Sequence, residues 1–261
     1  MVDKIMRILK DHEERIKMAF DPSKFTVPAA KPLPVILLLD VSGSMQRNDN
    51  IGALNKAVTE MIASFADQTK REVEIQVAAI TFGAEVQLHL PYTPAGKVNW
   101  TPLAANGLTP LSTALEMAKA MVEDKTVTPS RAYRPAVVLV SDGAPVPVEQ
   151  PWREALKAFV SDGRSAKCER MALGIGSEAD ESVLQAFIEG TDNAKVFHAD
   201  DAAGIADFFK FVTMSVSTRS KSINPNQTIA QSAAAPSATP SAQTPASPAP
   251  QTSTTKPDEY W

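Results

Sequence analysis

The sequence predicts a doubly wound α/β domain: a mostly parallel, Rossmann-like sheet with one antiparallel edge strand and helices on both faces. Three observations predict it. Short continuous apolar runs, among them "PVILLLD" (34–40), "PAVVLVSDG" (135–143) and "RMALGIG" (170–176), have the composition of strands covered on both faces. Stretches with apolar residues at helical spacing separate most of these runs, and that alternation places helices on the faces of a parallel sheet. The exception is "EIQVAAITF" (74–82), which reaches "VQLHL" (86–90) through "GAE" alone. So short a connection leaves no room for a crossover, so the two strands form an antiparallel hairpin and the second is an edge candidate.

The elements follow in order. After the first strand comes the helix "IGALNKAVTEMIASFADQ" (51–68), then the hairpin, then the helix "TPLSTALEMAKAMVED" (109–124). In that helix Thr109 suits the N-cap and Pro110 the first helical position, where no N–H is needed. The strand 135–143 ends in an aspartate. A helix over 151–160, the strand 170–176, a helix over 180–190, the short strand "KVFHA" (195–199) and a last helix over 203–217 complete the domain.

Composition divides the chain into three. Residues 1–32 hold an amphipathic helix, with Ile5, Ile8, Leu9, Ile16 and Phe20 at helical spacing, and a Pro-spaced linker. Residues 33–218 are the α/β domain. Residues 219–261 are rich in Pro, Ala, Ser and Thr, with too few core formers to offset the entropy of ordering, so a flexible tether is expected. That tail ends in "DEYW", where Tyr260 and Trp261 are candidate docking anchors.

Charge and cysteine count exclude several classes of function. A net charge of -4 argues against a general nucleic-acid binder, whose affinity comes from clustered Lys and Arg. The one cysteine, Cys168, cannot form an internal disulfide, and no Cys/His cluster offers a zinc site. No apolar run approaches the roughly 20 residues of a membrane span, and the first residues are too charged for a secretory signal core. The expectation is a cytoplasmic protein with no membrane span.

The chemistry concentrates at strand ends. "VILLLD" and "VVLVSD" finish in Asp40 and Asp142, and in a parallel sheet both ends lie on the rim where such folds bind ligands. Ser42, Ser44 and Thr109 add hydroxyls to these carboxylates. Oxygen donors without thiols or imidazoles suit a hard divalent cation, Mg²⁺ first, with Mn²⁺ or Ca²⁺ as alternatives. Gly43 suits a tight loop that turns both serines to one point. The bland alternative is that Ser42, Gly43 and Ser44 cap the next helix while Asp142 begins a turn. Trp100 and Tyr92, in the loop "PYTPAGKVNWTPLAANG" (91–107), are candidates for a partner-facing rim, with core burial an equal competitor for Trp100.

Taken together, "DVSGS", Thr109 in "GLTPLSTAL" and Asp142 in "SDG" resemble the metal-ion-dependent adhesion site (MIDAS) of von Willebrand factor A (VWA) domains. The resemblance covers roughly residues 33–218. The wording of "PVILLLDVSGSM", "PYTP" and "LTPLSTALEMA" looks most like bacterial VWA proteins of the TerY type, associated with tellurite and stress resistance. Where that family usually has Gly-Gly-Thr, this chain has Gly107, Leu108 and Thr109. The resemblance implies that Ser42 and Ser44 hold the metal directly, Thr109 directly or through water, and Asp40 and Asp142 largely through water or from behind the groups that touch it. A cation left under-neutralised in this way accepts a carboxylate from a protein partner. For TerY-like proteins the implied partners are a protein kinase and a PP2C-type phosphatase.

Two other classes of function compete with this adaptor reading. A phosphohydrolase of the haloacid dehalogenase type places a second aspartate two residues after the first, and here that position is Ser42. No glycine-rich phosphate loop with Lys and Ser/Thr occurs, and His12, His89 and His198 are scattered. The expectation is therefore a protein that is not an enzyme. The remaining competitor is a scaffold that binds through its tail without metal.

Overall fold

The structure, a computed structural model, describes residues 30–68, 73–146, 151–192 and 194–226. The predicted N-terminal helix, most of the tail, and Tyr260 and Trp261 lie outside the described residues. Six strands form one sheet in the order β3-β2-β1-β4-β5-β6. They are β1 (Lys31–Asp40), β2 (Val73–Phe82), β3 (Val86–Pro94), β4 (Ala136–Ser141), β5 (Glu169–Ile175) and β6 (Val196–Ala199). Every neighbouring pair is parallel except β2 and β3, which form the expected antiparallel hairpin at the sheet edge.

The pleat of β1 explains its unbroken apolar run. Leu33, Val35, Leu37 and Leu39 enter one core with α1 (Asn50–Ala66) and α5 (Ala202–Lys221). Ile36 and Leu38 enter the other with α2 (Leu111–Glu123), α3 (Pro151–Ser161) and α4 (Glu181–Ile188). Each such side chain stabilises the fold by about 1.5–3 kcal/mol, so the strand is held by its body. Its end is left to polar chemistry.

Two sequence expectations change. β1 begins at Lys31, before Pro32 and Pro34, because its ladder with β4 starts only at Val35 and Ala136. The prolines sit where only β2 pairs with β1, so their missing N–H groups break no central ladder. At the other end of the domain, α5 runs to Lys221, beyond the predicted 217.

The end of the sheet away from the β1 and β4 carboxyl termini holds two buried arginines, bonded to a carboxylate and to carbonyl groups. Arg219, near the end of α5, places Nη1 at 2.6 Å from Glu169 Oε2, and both side chains are 1 % exposed. Its Nε donates to the Pro225 carbonyl and its Nη2 to the Arg134 carbonyl. Arg170 donates to the carbonyls of Phe187 and Glu189, capping the end of α4, and to Ala166.

Candidate metal centre

Connectivity creates the site. From β1 the chain moves to β2 on one side, then returns to β4 on the other, so the carboxyl ends of β1 and β4 flank the switch point of the sheet. Loops leaving those strands diverge there and open a crevice. Asp40 ends β1, and Asp142 directly follows β4.

The four residues named from these two strand ends come together. Ser44 Oγ donates to Asp142 Oδ1 at 2.7 Å, Ser42 Oγ lies 2.9 Å from Ser44 Oγ, and Ser42 Oγ donates to Asp142 Oδ1 at 3.4 Å. Asp40 lies behind them, fully buried, with Oδ1 accepting from the Ser42 N–H at 2.8 Å. Its Oδ2 accepts from Ser141 Oγ at 2.7 Å. Ser141 was not singled out in the sequence, although its place beside Asp142 in "SDG" is the signal that could have found it. It fixes the orientation of Asp40.

Thr109 arrives on a third loop. Gly107 O accepts from the Gly43 N–H at 3.0 Å, and Thr109 O accepts from the Val146 N–H at 2.9 Å. The threonine is thereby stitched between the loops that follow Asp40 and Asp142. It is buried, and its expected role as an N-cap is not found: Pro110 occupies the cap of α2 with no side-chain cap bond. The hydroxyl is left uncommitted to the helix. Likewise Ser42 makes no side-chain cap to the 3-10 turn Gly43–Asp49, so the serines serve Asp142 rather than a helix terminus.

Glycine is demanded in this region at Gly83, where a Cβ would stand 2.5 Å from the Asn106 carbonyl oxygen, and at Gly107, but not at Gly43. A Cβ on Gly43 would make ordinary contact at 3.6 Å. Gly107 has φ +85, and a Cβ there would stand 2.2 Å from the Ala84 nitrogen. Leu108 beside it is 64 % exposed on the rim.

Burial dominates the electrostatics. It pushes the Asp40 carboxyl up to about 6, against the pull of the Ser141 and Ser42 hydrogen bonds, and Asp142 adds a smaller repulsion. Burial also raises Asp142, opposed by Ser44, Ser42 and the Arg47 guanidinium. Two carboxylates thus stand near one another, held by hydroxyls and an N–H, and among the described residues no buried cation bonds either of them. The described residues contain no group of three or more His, Cys, Asp and Glu that could hold a metal, so a cation here would depend on the hydroxyls.

The donor set passes a geometric test. Adjacent ligands of an octahedral Mg²⁺, at about 2.1 Å from the ion, stand roughly 3.0 Å apart. Ser42 Oγ, Ser44 Oγ and Asp142 Oδ1 form a triangle with sides of 2.7, 2.9 and 3.4 Å. That matches one face of such an octahedron.

The aromatic candidates lie elsewhere. Tyr92 packs against the α2–α4 core and meets Thr128 Oγ1 through its hydroxyl at 3.3 Å, and burial raises its pKa. Its neighbour Thr93 pairs with Val77, in the half of β2 away from the rim, so Tyr92 is a packing residue. Trp100 is partly buried against the other core, donates to Asn55 Oδ1 at 3.3 Å, and meets the His89 ring edge-on at 5.0 Å. Asn55, missed in the sequence, also bonds both backbone groups of Leu103 and holds this loop to α1.

Fold and site together define a doubly wound α/β domain with a hydroxyl-and-carboxylate cluster at its switch point. The sequence model of the von Willebrand factor type A domain matches residues 35–144, the segment that runs from β1 past Asp142. The match and the fold support a VWA domain in this chain. No curated protein matches the sequence. Among solved structures, the pilus adhesin SpaC from Lactobacillus rhamnosus GG aligns with TM-score 0.57 and 14 % identity, covering 73 % of this chain and 31 % of that one. A von Willebrand factor type A protein from Catenulispora acidiphila aligns with TM-score 0.52 and 18 % identity, covering 71 % and 43 %. Mussel byssus proximal thread matrix protein 1, with a zinc-occupied MIDAS motif, aligns with TM-score 0.54 and 15 % identity, covering 71 % and 48 %. This chain therefore spans less than half the length of each. At these identities the likeness is one of fold.

Proposed function

We propose that this chain is a metal-dependent protein-protein interaction adaptor, in which a divalent cation at the Asp40–Asp142 centre receives an acidic side chain from a partner. The observation that carries it is the oxygen triangle of Ser42, Ser44 and Asp142, with buried Asp40 behind it. Ser42, Ser44 and Asp142 would hold the ion, Thr109 would border it, and Asp40 would orient the Ser42 loop and add charge. The cation supplies a positive centre that a partner carboxylate completes. Magnesium is the favoured ion on donor chemistry, with Mn²⁺ or Ca²⁺ as alternatives. The zinc-occupied motif of the mussel protein supports a divalent cation at this place in the fold.

The serine hydroxyls of the centre are hydrogen-bonded to each other and to carboxylates, and no described histidine or lysine bonds them as a base, which favours binding over catalysis. The TerY-type resemblance names a kinase and a PP2C-type phosphatase of a bacterial stress-resistance system as partners to try first, in the cytoplasm. No described helix is long and apolar enough to cross a membrane.

Titration calorimetry with Mg²⁺ and Mn²⁺ tests the reading. Wild-type protein should bind, and Asp40→Ala and Ser42→Ala should lose at least tenfold in affinity while remaining folded. Undiminished binding by both variants would overturn it.

A further inference from the structure

We propose that a cavity beside the metal centre is a second subsite, which receives a lysine or arginine from the same partner segment whose acid reaches the metal. It rests on the metal-bridged reading above. The cavity measures about 350 Å³, with Val41, Thr81, Glu85, His89, Leu103 and Asn106 among its walls. That is the low end of the roughly 300–1,000 Å³ of ligand pockets, and it suits one long side chain rather than a cofactor.

Cavity and centre share walls. Val41 stands between Asp40 and Ser42, and its backbone bonds Phe82 O and the Asn106 N–H. Asn106 O in turn accepts from the Ala84 N–H at 2.8 Å, and the next residue, Gly107, bonds Gly43. A segment lying on one feature thus passes the mouth of the other. The β1–β2 register sets Phe82 opposite Asp40, and Glu85 follows three residues later. With strands about 4.8 Å apart and about 3.3 Å of extended chain per residue, a base within about three positions of the acid spans the gap.

The lining selects a cation with an aliphatic stem. Val41 and Leu103 offer apolar wall, along which the methylenes of lysine or arginine lie well. Among the described residues of the lining, Glu85 carries the only carboxylate, and no Lys or Arg contributes to it. Gln87 Nε2 donates to Glu85 Oε2 at 3.0 Å and orients that carboxylate. The Thr101 carbonyl accepts from His89 Nε2 at 2.9 Å, so in the neutral ring Nδ1 is a further acceptor. Across the centre, on the β5 side, the exposed cation is Arg47, ion-paired with Glu178 at 2.6 Å. Arg47 is thereby compensated locally, so the sense in which a segment carrying acid and base in tandem fits the rim is set by Glu85.

The test uses fluorescein-labelled, end-blocked peptides of Gly and Ser with one central Asp, and with Lys, Ala or Glu at each of three positions to either side. Anisotropy is read in excess Mg²⁺ and in EDTA at low salt. One Lys position should raise Mg²⁺-dependent affinity about two- to fivefold over Ala, and Glu there should lower it. Glu85→Gln should erase the difference, and Glu85→Lys should reverse it. Metal affinity without peptide, from calorimetry, should stay within about twofold in both variants. Mg²⁺-dependent binding of Asp peptides with no gain from Lys, or with a gain that survives Glu85→Gln, would overturn the subsite and leave the metal reading standing. Failure of every peptide to show Mg²⁺-dependent binding would overturn both.

Discussion

The two ends of the sheet treat buried charge in opposite ways. At the amino end of β5, Glu169 is buried beside Arg219, whose remaining donors go to the carbonyls of Pro225 and Arg134. At the carboxyl ends of β1 and β4, Asp40 and Asp142 are buried with hydroxyls and N–H groups, and among the described residues no buried cation bonds them. Isolated carboxylates are expensive to bury, and internal pairing is the general remedy. Where the remedy is withheld at one end only, the buried acids there rely on hydroxyls and N–H groups alone. Thus a buried acid with its arginine is architecture, and a buried acid with only hydroxyls points to binding.

The largest effect should come from breaking the paired end. Arg219→Met leaves Glu169 buried without its partner, at a cost of about 3–5 kcal/mol. Thermal melting should fall by roughly 10 °C, since each kcal/mol shifts a domain of this size by about 2–4 °C. Metal affinity measured below the new transition should not change.

Acidity should sharpen the contrast by a smaller amount. The folded Asp40 carboxyl titrates at about 6 and the unfolded one at 3.8, so the folded state holds a proton that the unfolded state has released. This contribution to stability is present below 3.8 and is lost as pH rises to about 6. It is worth on the order of 3 kcal/mol. Chemical denaturation of metal-free protein between pH 4 and 6.5 should show wild type losing stability relative to Asp40→Asn, and a parallel course of the two would remove the argument. Excess Mg²⁺ should restore wild type above pH 6 without helping the variant, because ligand binding to the native state adds stability.

The smallest effect concerns Thr109. With no cap bond to lose, Thr109→Ala should melt within about 0.5 kcal/mol of wild type, well short of the largest cap losses of about 2 kcal/mol. Metal-dependent partner binding should nevertheless weaken in Thr109→Ala and survive in Thr109→Ser. A loss of stability with unchanged binding would return Thr109 to a structural role.

Much of this was legible in the sequence because strand interiors and strand ends write different patterns. The buried body of β1 gives a continuous apolar run, and its end gives an abrupt Asp and Ser, so both the sheet and the Asp40–Ser44 loop could be read directly. The hairpin was legible from chain length alone. Less legible were features set by partners distant in sequence. Pro32 and Pro34 disguised the start of β1, since their tolerance depends on where β4 begins. The capping expected of Thr109 is not found: Thr-Pro before an apolar helix is locally an ideal cap, and only the bonds from Leu111 and Val146 to its carbonyl show that the chain turns otherwise. Trp100 and Asn55 lie 45 residues apart in sequence, and no local pattern announces their hydrogen bond.

The stitching of three loops through main-chain groups has an evolutionary consequence. Gly43 N–H to Gly107 O, Asn106 N–H to Val41 O and Ala84 N–H to Asn106 O tie the rim together without a single side chain. Exposed positions on those loops, Leu108 foremost and Ala84 and Glu85 beside it, can therefore mutate without loosening the oxygen cluster beneath. Drift at these positions would alter which partner is accepted while the centre stays intact, so paralogues could diverge in allegiance long before they diverged in chemistry.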